Sequence, residues 1–183
     1  MIPFLVGERL YLRALTTDDA DGAYVTWFND EVVCAQNAHH IYPYSRQEAC
    51  EYIASVNSDR AQFVLAIITE YKHIGNIALQ DIHPVYHSAN FAIVIGNVDY
   101  WHKGYGKEAA RLIINHGFNS LNLHRISCAT FSNNVGMMAL AKSLGFKEEG
   151  CRRETAYKSG AYVDVVEYGL LKGEWHVRSA PLP

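Results

Sequence analysis

Hydrophobic residues between positions 105 and 121 recur with the 3.6-residue period of a helix that buries one face. The stripe comprises Ala110, Ile113, Ile114, Gly117, Phe118 and Leu121. The opposite face carries charged and amide side chains, so the pattern predicts an amphipathic helix. A continuous apolar run at residues 91–96 precedes it and predicts a buried strand that leads into the helix.

The remaining pattern predicts further strands and helices in a mixed order. Apolar or alternating runs indicate strands at about residues 9–15, 62–69, 72–80, 89–95, 125–131, 147–157 and 162–172. Two capping boxes, Thr16-x-x-Asp19 and Ser45-x-x-Glu48, predict helix starts, and a short helix is expected at residues 135–144. The order β-α-α-β-β-β-α-β-α-β-β predicts a mixed α/β fold rather than a strict βαβ alternation.

Composition limits the function without naming it. The chain has 183 residues, 49% of them hydrophobic and 19% charged, which is typical of one globular domain spanning residues 1–183. A net charge of −3 gives no indication of a nucleic-acid partner, and no apolar run predicts a membrane span. Four scattered cysteines predict reduced thiols in the cytoplasm, and no His or Cys spacing predicts a metal site.

The segment between the buried strand and the amphipathic helix reads Tyr-Trp-His-Lys-Gly-Tyr-Gly-Lys-Glu-Ala at residues 100–109. The first N–H groups of a helix have no internal partner and attract anions. Gly104 and Gly106 allow close approach to the backbone, and Lys103 and Lys107 flank them. The segment therefore predicts a phosphate site, although two glycines can also serve only as a tight turn.

Three phosphate ligands compete for this site. A P-loop is excluded because no Gly-Lys-Ser/Thr follows at the required spacing. The fingerprint Gly104-x-Gly106-x-x-Ala109 matches a dinucleotide motif, but seven residues separate the strand end from its first glycine. Residues 130–134, where the motif requires an acidic side chain, contain none. Coenzyme A is the third ligand.

The segment resembles the pyrophosphate loop of the GNAT superfamily of N-acetyltransferases, Q/R-x-x-G-x-G/A, with Trp101 in place of Gln or Arg. The sequence of the segment is most similar to that of the RimJ/RimL branch of ribosomal-protein N-terminal acetyltransferases. A second motif, Asn134 followed by Lys142-Ser143-Leu144-Gly145-Phe146, resembles the family's Asn…Glu-Lys-Leu-Gly-Phe segment. Taken alone, Asn134 is equally well explained as a helix N-cap.

The resemblance implies a single GNAT-like domain, with a twisted mixed sheet of about six to seven strands flanked by about four helices. It implies transfer of acetyl from acetyl-CoA to a primary amine, either a protein N-terminus or a small molecule, by a monomer or homodimer without a metal. Backbone N–H groups at about residues 94–96 would hold the thioester carbonyl. The implied coenzyme contacts are Val94, Ile95, Trp101, His102, Lys103, Gly104, Tyr105, Gly106, Lys107, Asn134 and Lys142.

The resemblance does not assign the catalytic side chains, because the positions where relatives place polar groups hold Met137, Ala141 and about Ala156. Proximity alone is one explanation of catalysis. Another is a polar group elsewhere, for which the candidates are Asp81, His83, Glu154 and Asp164, although each also has an ordinary structural explanation. A non-catalytic acyl-CoA-binding module is the alternative function. The aromatic and imidazole-rich loop at residues 36–44 is a candidate wall of the amine pocket.

Overall fold

A computed structural model describes residues 2–70 and 72–175, which form one eight-stranded sheet in the order β1-β2-β3-β4-β5-β6-β8-β7. The strands are β1 (Leu5–Val6), β2 (Tyr11–Ala14), β3 (Phe63–Thr69), β4 (Lys72–His83), β5 (Ser88–Ile95), β6 (Arg125–Phe131), β7 (Lys147–Lys158) and β8 (Ala161–Leu171). The helices are α1 (Ala23–Phe28), α2 (Glu31–Cys34), α3 (Arg46–Ser58), α4 (Tyr105–Asn119) and α5 (Val135–Ser143).

Both faces of the sheet are buried, because successive side chains of its central strands point to opposite sides. On β3, Leu65 and Ile67 face the core beneath α4, whose apolar stripe is buried from Ala110 to Phe118. Val64 and Ile68 on the same strand face a second core beneath α1 and α3. The sheet is therefore the middle layer of three, and helices cover it on both sides.

Adjacent strands are antiparallel except β5 and β6, which are parallel. Their pairing is short: Ser88 to Asn90 pair with Arg125 to Ser127, and no later residue of β5 has a partner on β6. From Phe91 onwards the two strands diverge, and the sheet opens between them.

The mixed α/β fold is confirmed, and the structure adds two short elements to it. β1 has two residues and α2 has four, too few for a periodic pattern to reveal. α2 lies in the stretch before the predicted loop at residues 36–44, where the Asp30 carboxylate caps it by accepting hydrogen bonds from two backbone N–H groups. Among the described residues there are therefore eight strands rather than six to seven, and five α-helices rather than four.

Candidate active site

The opening between β5 and β6 leaves backbone groups of β5 without a sheet partner. Gly96 donates its N–H to the carbonyl oxygen of Ile74 on β4 at 2.9 Å. Because backbone direction alternates along a strand, the N–H of Ile95 points the other way, into the opening. Val94 and Gly96 direct their N–H groups towards β4, so within the predicted stretch at residues 94–96 it is Ile95 that offers its N–H to the opening.

The loop after β5 is fastened to the strand end by a side chain. The indole Nε1 of Trp101 donates to the carbonyl oxygen of Ile95 at 2.7 Å. Between them, a short 3₁₀ turn at Val98–Tyr100 begins at Asn97, whose side chain accepts from the N–H of Asp99. The residue that departs from the family's Gln or Arg thus holds the loop against the opening.

Arg9, in the turn between β1 and β2, holds the far side of the same loop. Its Nε donates to Oε2 of Glu108 at 2.8 Å, and its Nη1 donates to the carbonyl oxygen of Lys103 at 2.9 Å. The guanidinium also lies 4.5 Å from the centre of the Tyr105 ring, within the range of a cation–π contact. Arg9 therefore places a positive charge at the start of α4.

The N-terminus of α4 presents unpaired donors. Gly104 has φ of 85°, a left-handed conformation that suits glycine, and turns the chain into the helix. The N–H groups of Tyr105, Gly106 and Lys107 have no hydrogen-bond partner among the described residues, and the first helical bond runs from Glu108 to Gly104. This helix end carries partial positive charge and can bind an anion.

A large cavity of about 800 Å³ lies between the opening, the start of α4 and the start of α5. Its lining includes eight of the eleven residues predicted to contact the coenzyme: Val94, Ile95, Trp101, His102, Gly104, Gly106, Lys107 and Asn134. The segment at residues 31–37, which was not among the predicted coenzyme contacts, forms another part of its wall. The predicted phosphate loop and the second motif thus border one cavity.

Three predicted coenzyme residues lie outside that lining. The Lys142 ammonium group is on the exposed side of α5, 4.0 Å from the Glu148 carboxylate. Lys103 faces solvent, and the Tyr105 ring packs against Tyr100 with centroids 5.1 Å apart. The Tyr105 backbone still lies at the end of α4 that borders the cavity. The side chains of Lys103, Tyr105 and Lys142 lie outside the cavity lining.

Asn134 is the N-cap of α5. Its Oδ1 accepts from the N–H of Met137 at 3.0 Å, and its Nδ2 donates to the carbonyl oxygen of Gln36 at 3.0 Å. Gln36 in turn donates to the carbonyl oxygen of Asn133 at 3.0 Å. These bonds tie the segment after α2 to the start of α5 across the opening, so both polar atoms of Asn134 are engaged within the protein.

Asp81, predicted as a catalytic candidate, is at the wrong end of the sheet. It is exposed beside the paired ends of β5 and β6, where its Oδ2 accepts from Asn90 at 3.0 Å. His83 closes the following turn, because its Nδ1 accepts from the N–H of Tyr86 at 3.1 Å. Both residues have the structural roles that were the alternative explanation.

Glu154 and Asp164 lie together, but neither lines the large cavity. Glu154 is exposed in an irregular part of β7 with φ of 49°, and its N–H donates to Oδ1 of Asp164 at 2.8 Å. The carboxylate of Asp164 thus stabilises the irregular backbone of the neighbouring strand. Their positions argue against the predicted catalytic role.

A small cavity of about 260 Å³ adjoins the large one, and Ile93 and Val94 of β5 line both. Its wall is rich in aromatic side chains: Tyr24, Phe28, Tyr44 and Tyr52, joined by His39. Asn76 and Gln80 contribute amide groups, and the rest of the lining is aliphatic. Two members of the predicted 36–44 loop, His39 and Tyr44, are among these residues.

Burial sets the protonation states around the small cavity. It raises the pKa of Tyr24 far above the usual phenol value, an effect that the hydroxyl of Tyr44 at 3.3 Å reinforces. The pKa values of Tyr44 and Tyr52 are raised for the same first reason. His39 is partly open to solvent, but burial of its ring against Phe28, followed by the positive charge of Lys158, lowers its pKa below 6.5. Its imidazole is therefore neutral at pH 7.

Several residues that line the small cavity could not be identified from the sequence pattern. Tyr24 and Tyr52 occupy helix positions that read equally well as core, because a phenol ring buries like any other aromatic side chain. Asn76 left a clearer sign, since it is an amide within the apolar run of β4 and is 9% exposed.

Two further features bear on the class of protein. Within residues 2–70 and 72–175, no three His, Cys, Asp or Glu side chains are grouped as a metal ion would require. Among the described helices, none combines the length and apolarity needed to span a membrane.

Comparison with known proteins places this geometry in a family. Residues 9–147 match the family described as acetyltransferase (GNAT) domain. The uncharacterized N-acetyltransferase p20 of Bacillus licheniformis is 30% identical over 177 residues, covering 93% of this chain and 97% of that protein.

Solved structures share the same architecture. Spermidine N-acetyltransferase from Vibrio cholerae, in complex with CoA and spermine, has a TM-score of 0.83 and 26% identity, covering 91% of this chain and 97% of that one. The ribosomal L7/L12 α-N-protein acetyltransferase RimL, in complex with coenzyme A, has a TM-score of 0.82 over 91% of this chain and 96% of its own. At 18% identity, RimL shows the shared fold alone. These matches favour an enzyme over a non-catalytic module, and the chain belongs to the GNAT acetyltransferase family as an N-acetyltransferase.

Proposed function

We propose that the large cavity binds acetyl-CoA and that the small cavity binds the primary amine that receives the acetyl group. The observation that carries the proposal is the shared wall: Ile93 and Val94 line both cavities, and the inward-pointing N–H of Ile95 follows directly. A thioester that reaches this wall from one side meets an amine that reaches it from the other.

The coenzyme pyrophosphate is assigned to the start of α4. The free N–H groups of Tyr105, Gly106 and Lys107 supply donors, and the helix end supplies partial positive charge. Arg9 adds a full charge beside the loop. Val94, Ile95, Trp101, His102 and Asn134 would border the rest of the coenzyme, since they line the cavity.

The reaction requires no covalent enzyme intermediate. The lone pair of a neutral amine attacks the thioester carbon, and the carbonyl electrons move to oxygen, where the N–H of Ile95 stabilises the negative charge. Collapse restores the carbonyl, breaks the C–S bond and leaves the electron pair on sulfur. The nitrogen loses its proton to His39, whose ring nitrogens have no partner among the described residues. The coenzyme thiolate takes a proton from solvent water and leaves as the thiol, and His39 returns its proton to solvent.

The acceptor is proposed to be a primary amine, whether of a small molecule or of a peptide N-terminus, and the compartment the cytoplasm. The V. cholerae relative is named for spermidine and RimL for a ribosomal protein, so both acceptor kinds occur among similar proteins. All four cysteines are free, which supports a reducing compartment.

Calorimetric titration with acetyl-CoA tests the first half of the proposal, and coenzyme release over a panel of amines tests the second. Binding of acetyl-CoA that is unaffected by Gly106→Asp, in a folded variant, would contradict the placement of the pyrophosphate. Tight binding without release of thiol to any amine would contradict the transfer reaction.

A further inference from the structure

The small cavity lacks a partner for a second positive charge. Among the described residues that line it there is no Asp, Glu, Lys or Arg. Its polar groups are phenol hydroxyls, the His39 imidazole and the amides of Asn76 and Gln80. A buried ammonium group without a carboxylate loses hydration that such neutral groups replace only in part. A polyamine held here would carry at least one such group.

The aromatic residues form a packed wall rather than separate contacts. Tyr24 meets Phe28 edge to face with centroids 5.4 Å apart, and Phe28 meets Tyr44 in the same way at 5.2 Å. His39 lies 4.2 Å from the Phe28 ring. Rings that support one another in this way keep a fixed shape and offer their remaining surfaces to an apolar or aromatic group.

The charges around the cavity also disfavour a polycation. Asp19 and Glu48 act on the cavity's tyrosines from outside, but each carboxylate is already engaged. Asp19 accepts from Arg13 at 2.6 and 2.8 Å, and Glu48 accepts from the N–H of Ser45 at 2.7 Å. At the rim, the ammonium of Lys158 donates to the carbonyl oxygen of His39 at 2.5 Å.

A buried chain of hydrogen bonds fixes the amide of Asn76. The Nε2 atom of His73 lies 3.0 Å from the carbonyl oxygen of Gly75, so it must carry a proton. The Asn76 atom 2.7 Å from this donor is therefore the oxygen, which leaves Nδ2 without a partner among the described residues. Behind His73, its Nδ1 lies 3.3 Å from the Asp19 carboxylate. The free donor of Asn76 is a binding group for an oxygen of the acceptor.

We propose that the small cavity selects a primary monoamine whose substituent is aromatic or branched apolar, and that it excludes polyamines. This inference rests on the proposed function, since it assumes that the small cavity is the amine site. The chemistry could come from a free amine such as 2-phenylethylamine or from a peptide that begins with phenylalanine. The peptide would also offer the carbonyl oxygen that Asn76 can bind.

Equilibrium binding separates this inference from the proposed function. The protein saturated with coenzyme A is titrated with 2-phenylethylamine, with the amide of Phe-Ala-Ala, and with spermidine. We expect either aromatic ligand to bind at least about tenfold more tightly than spermidine. Spermidine binding that equals or exceeds both would overturn the inference, whether or not any of the three is acetylated.

Thiol release with the same three amines then tests turnover separately. A higher kcat/KM for the phenylalanine peptide than for 2-phenylethylamine identifies a peptide N-terminus as the source, and the reverse order identifies a free amine. Absence of turnover with all three, together with selective binding, would contradict the proposed transfer while leaving the selectivity supported.

Two charge substitutions check the physical cause. Gln80→Glu adds a carboxylate to the wall without touching the His73 chain, and we expect it to tighten spermidine binding by about tenfold. Lys158→Glu at the rim should do so by about threefold. Lys172→Glu is the matched control for Lys158→Glu, because it makes the same charge change on an exposed turn beyond β8. Unchanged spermidine binding in both test variants would show that charge does not set the selectivity.

Discussion

The indole of Trp101 and the carbonyl oxygen of Ile95 form a 2.7 Å hydrogen bond that fixes the phosphate loop to the open end of β5. Trp101→Phe keeps an aromatic ring but removes this bond, so we expect KM for acetyl-CoA to rise by about three- to tenfold with little loss of stability. Steady-state kinetics measures the change. Trp175→Phe is the control, since Nε1 of Trp175 has no partner among the described residues. An equal effect from the control would contradict the explanation.

The two glycines of the loop differ in what they contribute. A methyl group at Gly106 would meet only Ile93 and Ile95 side chains at 3.7 and 3.8 Å, so Gly106→Ala should fold normally. Because Gly106 lines the large cavity, the added carbon would crowd the coenzyme, and we expect acetyl-CoA affinity to fall by about tenfold or more.

Gly104→Ala, in contrast, is expected to lower the stability of the protein. The left-handed backbone at Gly104 costs an L-residue about 1–2 kcal/mol of unfolding free energy. Thermal unfolding and calorimetry on both variants check this contrast. A stable Gly104→Ala variant, or a Gly106→Ala variant with unchanged affinity, would contradict the assignment.

Arg9 is expected to act on the coenzyme through the loop. Arg9→Met removes the bonds to Glu108 and Lys103 and the charge beside Gly104. We expect acetyl-CoA affinity to fall several-fold, whereas unfolding free energy should change by less than about 1 kcal/mol, because the side chain is 46% exposed. Arg46→Met breaks another exposed ion pair, with Asp21, and should leave affinity unchanged. Equal affinities in both variants would remove Arg9 from the site.

The neutral imidazole of His39 predicts an acid limb in the pH profile. Burial lowers the pKa of His39 below 6.5, so the neutral ring can accept a proton at pH 7. It loses that ability only as pH falls through the lowered pKa. Activity towards the amine should decline there, and His39→Gln should lower kcat by about a hundredfold at pH 7. Rates at saturating acetyl-CoA measure both effects, and a variant that keeps most of the activity would assign the proton to water.

His116 predicts a pH dependence of stability rather than of activity. Its ring stacks on Phe63 at 5.0 Å and meets Phe4 at 5.3 Å, and this burial lowers its pKa in the folded state. The folded protein then binds fewer protons than the unfolded chain. The stability that the neutral His116 ring contributes is therefore present above pH 6.5 and is lost as pH falls through the folded pKa. His116→Gln should lose less unfolding free energy than the wild type between pH 7.5 and 5. The exposed His124→Gln variant serves as the control.

Long periodic segments made the fold predictable, whereas local hydrogen bonds decided the rest. Helix α4 was expected at about residues 105–121 and occupies Tyr105–Asn119, because its apolar stripe is unambiguous. The helix expected after Thr16 is instead a 3₁₀ turn at Thr17–Asp21 and then α1, divided at Gly22. Burial of the Asp19 carboxylate against Arg13 accompanies that division, and such a pairing leaves no periodic trace.

The site was predictable where function depends on backbone and hidden where it depends on side chains brought from afar. Gly104 is visible in the sequence because its left-handed backbone favours glycine, and Gly106 because the coenzyme is expected to approach the backbone closely there. Tyr24, Tyr52 and Asn76 come from three separate elements, and only the folded sheet brings them to one cavity. Asp81 seemed a candidate because it follows an apolar strand, but chain direction places it at the opposite end of β5 from the opening.

Ile93 and Val94 line both cavities, so they can couple binding in one cavity to binding in the other. On the proposed assignment of the two cavities, any shift of this strand end that coenzyme binding produces also changes the shape of the cavity that receives the amine. Thermodynamic reciprocity requires the amine to alter coenzyme affinity by the same factor. On the same assignment, we expect a larger or smaller side chain at either position to change the cooperativity between the substrates, and a change at Tyr52 to alter the choice of amine.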